Sequence, residues 1–377
     1  MATRQQVIQE ARRLLCSADV AADALRHVHT GAAERLGQRI ESLESLSPGL
    51  EALQGRASAT PARYERAGAV VRAAAPVAEA ILQERALRIA DGVEAMKKLD
   101  LGRDDEVTPQ EQTGLEAIIL LTGRPAILIQ EGDFMEPPPT WAGLKHIRAE
   151  IRTVIERVGR IEVAGNPNFD WLGTGFLAGR DVVVTNRHVA MEFSRSAPAG
   201  GWIFRPPMTS SIDFKAELGS GESLEFKVLE IVGIHDEHDL AVLRVEQVSG
   251  AAALPDPLPV SAAAPATLER RQVYVVGYPA WDGRRNDPEP MRRIFSEIYN
   301  VKRLQPGEIS GELDGAFEIS HDCSTLGGNS GSPVIDLQTH RVLGLHFGGR
   351  FMQKNRAVPL WRLQNDPLVK QARLNFQ

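Results

Sequence analysis

The chain has 377 residues, more than one ordinary compact core holds, so two domains are expected. Hydrophobic residues make up 43% and charged residues 24%, a globular composition that excludes a wholly disordered chain. The net charge of −6, from 43 basic and 49 acidic residues, argues against bulk electrostatic affinity for nucleic acid or an anionic membrane, though not against a local basic patch.

The first residues, MATRQQVIQEARRLLC, are charged and helical in pattern. They lack the apolar core and small-residue cleavage site of a secretory signal. Thr3 with Gln6 fits a capping box, followed by Val7, Ala11 and Leu14 on one face. Leu36, Ile40 and Leu43 repeat that spacing until Ser47-Pro48-Gly49 stops the helix. Thr60-Pro61 is another start signal, and Pro76 interrupts or restarts a helix. Leu82, Ala86, Ile89, Val93 and Met96 then form a helix-packing stripe. Thr108-Pro109-Gln110-Glu111 opens a last helix, with Gly123 as its expected end. Only Tyr64 among the 21 aromatic residues falls within residues 1–133, so this part packs through small aliphatic side chains, which let helices approach closely.

Residues 126–130 (AILIQ) read as a short strand, and Pro137-Pro138-Pro139 as a stiff connector. An amphipathic helix is expected near Leu144 to Val158, with Ile147, Ile151 and Ile155 four residues apart. From about residue 161 the period changes. Short runs such as Val182-Val183-Val184 and Val273-Tyr274-Val275-Val276 alternate with turn residues, the pattern of an all-β barrel or sandwich. The expected organisation is α+β: a helical domain over 1–130, a Pro-rich connector and helix over 131–160, and a β domain over 161–377. No stretch approaches the roughly 18 apolar residues of a membrane span. Cys16 and Cys323 lie in the two dissimilar parts and are expected as free thiols in a reducing compartment, which places the protein in the cytoplasm.

Three patterns in the β part carry chemistry. Gly173-Thr174-Gly175-Phe176 leads through a turn into Val182-Val183-Val184-Thr185-Asn186-Arg187-His188-Val189-Ala190. His238-Asp239 opens a second apolar run, Leu240 to Leu243. The third is Gly327-Gly328-Asn329-Ser330-Gly331-Ser332-Pro333. A serine hydroxyl is a poor nucleophile until a base takes its proton, and histidine is the side chain that titrates near neutrality, so His188 suits that task. Asp239 suits the carboxylate that holds the imidazole tautomer. In isolation each has a plainer reading: a structural histidine, a surface acid, a turn serine.

Together and in this order, the three segments resemble the trypsin-like (chymotrypsin-fold) serine peptidases over about residues 165–360. The G-N-S-G-S-P form is closest in style to bacterial glutamyl endopeptidases. The resemblance implies a double β-barrel, a triad of His188, Asp239 and Ser330, and oxyanion donors at the amides of Gly328 and Ser330. It also implies that the pocket for the residue before the cut is lined by His321 to Leu326 and by Gly344 to Gly349. Ser324 stands where a trypsin-type pocket has its acid, so Lys/Arg preference is disfavoured. Thr325 and His346 match the Thr/His pair of glutamyl endopeptidases, with Phe347 and Gly348 beside them, which implies cleavage after Glu and secondarily Gln. A packed core histidine is the plainer reading of His346.

Asn329 replaces the Asp that pairs with a newly cut N-terminus in many secreted relatives, so control is expected from the helical domain, from site remodelling or from substrate access, and not from zymogen cleavage. No cofactor or metal is expected; the His235-Asp236-Glu237-His238-Asp239 run reads as a loop. The expected partners are a protein or peptide substrate and a regulatory protein bound by the helical domain, in the style of bacterial stress or defence effectors, without nucleic acid or membrane. The other class left open is a protease-fold binding or scaffold module with little turnover. The polar stretch Trp281 to Arg293 reads as a contact loop or a solvated one.

Overall fold

The computed structural model describes residues 4–15, 90–119, 123–250, 252–281, 291, 294–295, 298–313, 317–349 and 354–377. The chain divides into two compact units, one of Thr3–Gly123 with Pro138–Thr140, the other mainly of Arg124–Pro137 and Trp141–Gln377.

In the first unit, α1 spans Arg4–Leu15, α2 spans 90–100 and α3 spans Pro109–Ile118. The start signal at Thr108 forms a full capping box: its hydroxyl accepts from the Glu111 amide at 3.2 Å, and the Glu111 carboxylate accepts from the Thr108 amide at 2.8 Å. Val7, Ile8 and Ala11 of α1, Met96 and Leu99 of α2, and Leu115 and Ile118 of α3 share one apolar cluster without an aromatic ring. A Cβ placed on Gly92 would lie 2.5 Å from the Gly114 backbone, so α2 and α3 cross at van der Waals distance. The helices expected around Leu36–Leu43 and after Thr60 lie outside the described residues, as do Thr3, Cys16 and the first part of the helix expected after Pro76; the end of that stripe, Val93 and Met96, lies in α2.

In the second unit, β1 (Ile127–Gln130) and β2 (Asp133–Phe134) form a hairpin, and α4 (Arg148–Ile155) follows a 3-10 stretch over Pro139–Ile147. The expected helix thus begins several residues late, because the backbone kinks at Trp141 and winds tighter through Gly143. Then come β3 (Val158–Ala164), β4 (Trp171–Gly179), β5 (Val182–Thr185) and α5 (Arg187–Phe193). The hairpin β6 (Ser194–Ser196) and β7 (Trp202–Phe204) precedes β8 (Thr209–Asp213), β9 (Glu225–Ile234) and β10 (Ala241–Val245). The short pair β11 (Val248–Ser249) and β12 (Ala252–Ala253) leads to β13 (Gln272–Gly277), β14 (Arg303–Glu312) and β15 (Ile319–His321). The chain closes with β16 (Pro333–Asp336), β17 (Val342–Gly349), β18 (Asn355–Pro359) and α6 (Pro367–Ala372).

Strands β10-β5-β4-β3-β8-β9 close one antiparallel barrel. Strands β13-β16-β17-β18-β15-β14 close a second through the β13–β14 pairing, with β1 and β2 added at β14. This is the expected chymotrypsin-like double barrel, preceded by helices.

Side chains alternate along a strand, and here both faces are buried. Val183, Ala241 and Leu243 point into the first barrel with residues from all six of its strands, while Val182, Val184 and Val242 point out. Val273 and Val275 fill the second barrel, and Tyr274 and Val276 point out. The outward sets meet in one shared layer with α4. That is why these strands read as unbroken apolar runs.

A buried cation pins this layer. Lys302 is wholly buried, and its ammonium donates to the carbonyls of Ile155 at 3.0 Å and Phe214 at 2.6 Å, and to Glu217 at 3.1 Å. The second Glu217 oxygen accepts from the Gly132 amide in the β1–β2 turn at 2.7 Å. One ion pair therefore joins α4, the β8–β9 loop, the β1–β2 hairpin and the start of β14. Burial pushes the Lys302 amine below its ordinary range, and Glu217 opposes that shift. Among the described residues no helix is long and apolar enough to cross a membrane.

Lys302→Met leaves Glu217 buried without its cation and is expected to cost about 3–5 kcal/mol. Adding Glu217→Gln should recover part of the loss. Urea denaturation of the three proteins measures both.

Candidate active site

Strand β5 ends at Thr185, and Asn186, in extended conformation, caps α5, so His188 comes in the first turn of a helix anchored on the barrel. Asp239 precedes β10, the neighbour of β5. The Asn186 side-chain amide donates to the Asp239 carbonyl at 2.8 Å and fixes the two loops together. His188 Nδ1 then lies 2.7 Å from Asp239 Oδ2, while its backbone amide donates to Asp239 Oδ1 at 3.0 Å. Both carboxylate oxygens hold one residue, so the ring's orientation and its Nδ1–H tautomer are set together, leaving Nε2 with a lone pair. The neighbouring histidines do other work. His235 Nδ1 accepts from the amides of Glu237 and His238, and His238 stacks on Phe317 at 4.1 Å. Among the described residues no group of three His, Cys, Asp or Glu side chains is arranged to hold a metal ion.

Ser330 arrives from the second barrel and is received by Thr174 of the first. The Thr174 amide donates to the Ser330 carbonyl at 2.8 Å, and its hydroxyl donates to the Gly328 carbonyl at 2.8 Å. The same hydroxyl accepts from the Tyr278 amide, and the Thr174 carbonyl accepts from Thr185 Oγ1 at 2.7 Å. The turn is tight enough to dictate residue type: at Gly331 φ is +92°, and a Cβ would sit 1.9 Å from the Thr174 carbonyl oxygen. Gly328, at φ +79°, lies against Trp171. A Cβ on Gly173 would lie 2.8 Å from the Ser330 carbonyl and 2.9 Å from Val189, so the serine turn packs beside α5, the helix that carries His188. Within the turn the amides of Asn329, Gly331 and Ser332 are spent on Leu326, His346 and Asn329 carbonyls. Asn329 is fully buried and accepts from Gln305 Nε2 at 2.9 Å, so its side chain is engaged by a neutral partner inside the barrel.

The wall before the serine is buried at Ser324 and Thr325. Ser324 Oγ donates to the Arg124 carbonyl at 2.7 Å, and the Thr325 amide donates to the Cys323 carbonyl at 2.9 Å. Across it, His346 amide and carbonyl bond to Ser332 and Gly331, fixing β17 to the serine turn. Phe347 is half-buried beneath the Arg356 guanidinium, and Gly348 falls at a register break between β17 and β18. His346 has a partner that the sequence did not signal: His321 Nε2 lies 3.0 Å from His346 Nδ1, both rings being buried. Burial pushes His321 down to about 3, and burial followed by His321 and His188 pushes His346 well below the ordinary histidine range. Two neutral imidazoles therefore share one hydrogen bond. Cys323 carries a free, buried thiol that burial keeps protonated. Most of the Trp281–Arg293 stretch lies outside the described residues.

A family profile described as "Trypsin-like peptidase domain" matches residues 173–345. A probable serine protease of Lysobacter enzymogenes is 31% identical over 303 residues, covering 69% of this chain and 76% of the relative. The chain belongs to the trypsin-like serine peptidases. A glutamyl endopeptidase of Staphylococcus epidermidis is 25% identical over 189 residues, 49% of this chain and 57% of that protein. A protease of M. tuberculosis in its active form shares 20% identity over 60% of this chain and 84% of its own, with a TM-score of 0.38. The profile lies entirely within the double-barrel unit, which is therefore the peptidase unit.

Thr174→Val keeps the shape of the peptidase's buried threonine but strands the Gly328 carbonyl and the Tyr278 amide. It is expected to cost about 1–3 kcal/mol by thermal melting and to slow labelling of Ser330 by a fluorophosphonate. The buried neutral histidine pair also carries a pH signature. Unfolded His321 binds a proton near its ordinary value of 6.5, and folded His321 only at about 3. Stability is thus full above pH 6.5 and falls as the pH is lowered toward 3. Urea midpoints measured across that window should show a shallower slope for His321→Gln.

Proposed function

We propose that the protein is a serine endopeptidase. Ser330 Oγ attacks the scissile carbonyl carbon and passes its proton to His188 Nε2. The electron pair of the carbonyl moves onto its oxygen, which the amides of Gly328 and Ser330 receive. The imidazolium, stabilised by Asp239, then gives that proton to the departing amine, leaving an acyl group on Ser330. Water repeats the sequence and frees the acid. The observation that carries this reading is the two-point grip of Asp239 on His188, through Nδ1 at 2.7 Å and the backbone amide at 3.0 Å. A second support is that the amides of Gly328 and Ser330 make no hydrogen bond among the described residues, while those of Asn329, Gly331 and Ser332 do.

The preferred residue before the cut is Glu, with Gln second. With His321 Nε2 as donor, His346 carries its own proton on Nε2 and can donate to a carboxylate or amide oxygen. Thr325 supplies the second polar contact. A neutral His346 attracts a carboxylate less than a cation would, which fits tolerance of Gln. A glutamyl endopeptidase of Staphylococcus epidermidis is 25% identical over 189 residues of this chain. The helical part, about residues 1–130, is read as a regulatory or recruiting domain of a bacterial cytoplasmic enzyme, with the free Cys323 thiol suited to a reducing compartment.

An unbiased peptide-library cleavage profile of the full chain should show cuts after Glu and, less often, Gln. Cuts mainly after Lys, Arg or large apolar residues would remove the pocket reading. Ser330→Ala should abolish fluorophosphonate labelling, and Asp239→Asn should lower kcat by about 10⁴-fold with little change in KM. Absence of labelling in the unaltered protein would instead favour a binding module without turnover.

A further inference from the structure

Gly123 ends the main stretch of the helical unit, and with Arg124 the chain enters the peptidase unit. From that residue on, the chain is fastened to the second barrel at successive points. The Arg124 guanidinium lies 3.1 Å from Asp322 Oδ2, with side chains only 17% and 11% exposed. The Arg124 carbonyl accepts from Ser324 Oγ at 2.7 Å. The next carbonyl but one, that of Ala126, accepts from the buried Arg303 guanidinium at 2.7 Å. Ile127 and Leu128 then pair with Leu304 and Arg303 in the β1–β14 ladder.

Asp322 and Ser324 are two residues of the wall that reaches Ser330. Asp322 Oδ1 accepts from the Glu308 amide at 2.6 Å, and Asn355 Nδ2 donates to the Cys323 carbonyl at 2.6 Å. The wall is therefore held by the barrel on one side and by Arg124 on the other. The Ser324 proton is committed to the Arg124 carbonyl, which makes Ser324 a tie between strap and wall. The charge matters as well. Asp322 is a shielded anion of the binding wall, and Arg124 is a cation paired with it. Removing that cation strengthens the field with which Asp322 opposes an acidic side chain entering the pocket more than a neutral one.

We propose that Arg124 is a positioning residue for the substrate-binding wall: by holding Asp322 and Ser324 it sets where Thr325 meets the substrate side chain, and it does so from the point where the chain leaves the helical unit. This rests on the endopeptidase reading and adds the element through which the pocket answers to the segment joining the two units.

The test uses the full chain and two fluorescent peptides, identical except for Glu or Gln before the cut. In R124M, KM for the Glu peptide should rise roughly tenfold and for the Gln peptide about threefold, with kcat held within about threefold. R124K should regain most of the loss. D322N added to R124M should remove the extra penalty on Glu, because the anion is gone. The fluorophosphonate labelling rate of R124M should stay within about twofold of the unaltered protein. Unchanged KM for both peptides, or labelling and cleavage falling in equal proportion, overturns the proposal. The same peptides bound to Ser330→Ala, with and without R124M, read the wall by fluorescence anisotropy without turnover. A failure of catalysis alone is thus told apart from a failure of the wall, and equal affinity in the two backgrounds overturns the proposal. If R124M does not fold, R124K and D322N decide: neither altering KM nor the Glu-to-Gln ratio overturns it.

Discussion

The candidate active site depends on one buried threonine that joins two barrels. Each barrel closes on its own hydrogen bonds and fills its own interior, so nothing within either one dictates where Ser330 stands relative to His188. Thr174 does. Its amide, hydroxyl and carbonyl engage Ser330, Gly328, Tyr278 and Thr185, all from a position with no exposed surface. Buried polar groups are costly when unpaired, so this arrangement has few alternatives of similar energy. The glycines at 328 and 331 follow from it: the turn must come so close to Thr174 that a side chain at 331 has no room.

The same logic recurs one layer out. Lys302 and Glu217 form a dry ion pair that no exposed surface charge could replace. Its value lies in register, because the three groups the ammonium meets come from α4, the segment after β8, and the β8–β9 loop. Arg303, the next residue, reaches the carbonyls of Ala126, Phe295 and Ile298. Two adjacent cations, both buried, thus tie the strap before β1 and the segment before β14 to the barrels. Their cost is the desolvation of two charges, met by carbonyl dipoles and one carboxylate.

The strap gives the two-unit chain a physical continuity. The helical unit packs through small residues, with Gly92 against Gly114 and no ring in its described core. The peptidase unit packs through β-branched and aromatic side chains in three clusters. Such different cores have no reason to mix, and the chain passes between them within a residue, from Gly123 to Arg124.

The fold class was legible in the sequence because its signals are local. Period-two runs bounded by turns mark strands, a Thr-Pro-Gln-Glu run marks a capping box at Thr108, and the loss of aromatics marks a different kind of core. His188, Asp239 and Ser330 stood out as candidates because their neighbours are constrained by short-range geometry: glycines at a tight turn, and apolar strands ending at the two loops. The partners were not legible. His321 and His346 are 25 residues apart, Arg124 and Asp322 lie on different segments, and Lys302 looks like any surface lysine until Glu217 is brought to it. The sequence by itself determined which strands and helices form and which residues stand at their ends. Only the tertiary structure decided which charges are buried together, because long-range pairing depends on barrel closure and leaves no periodic trace in the chain.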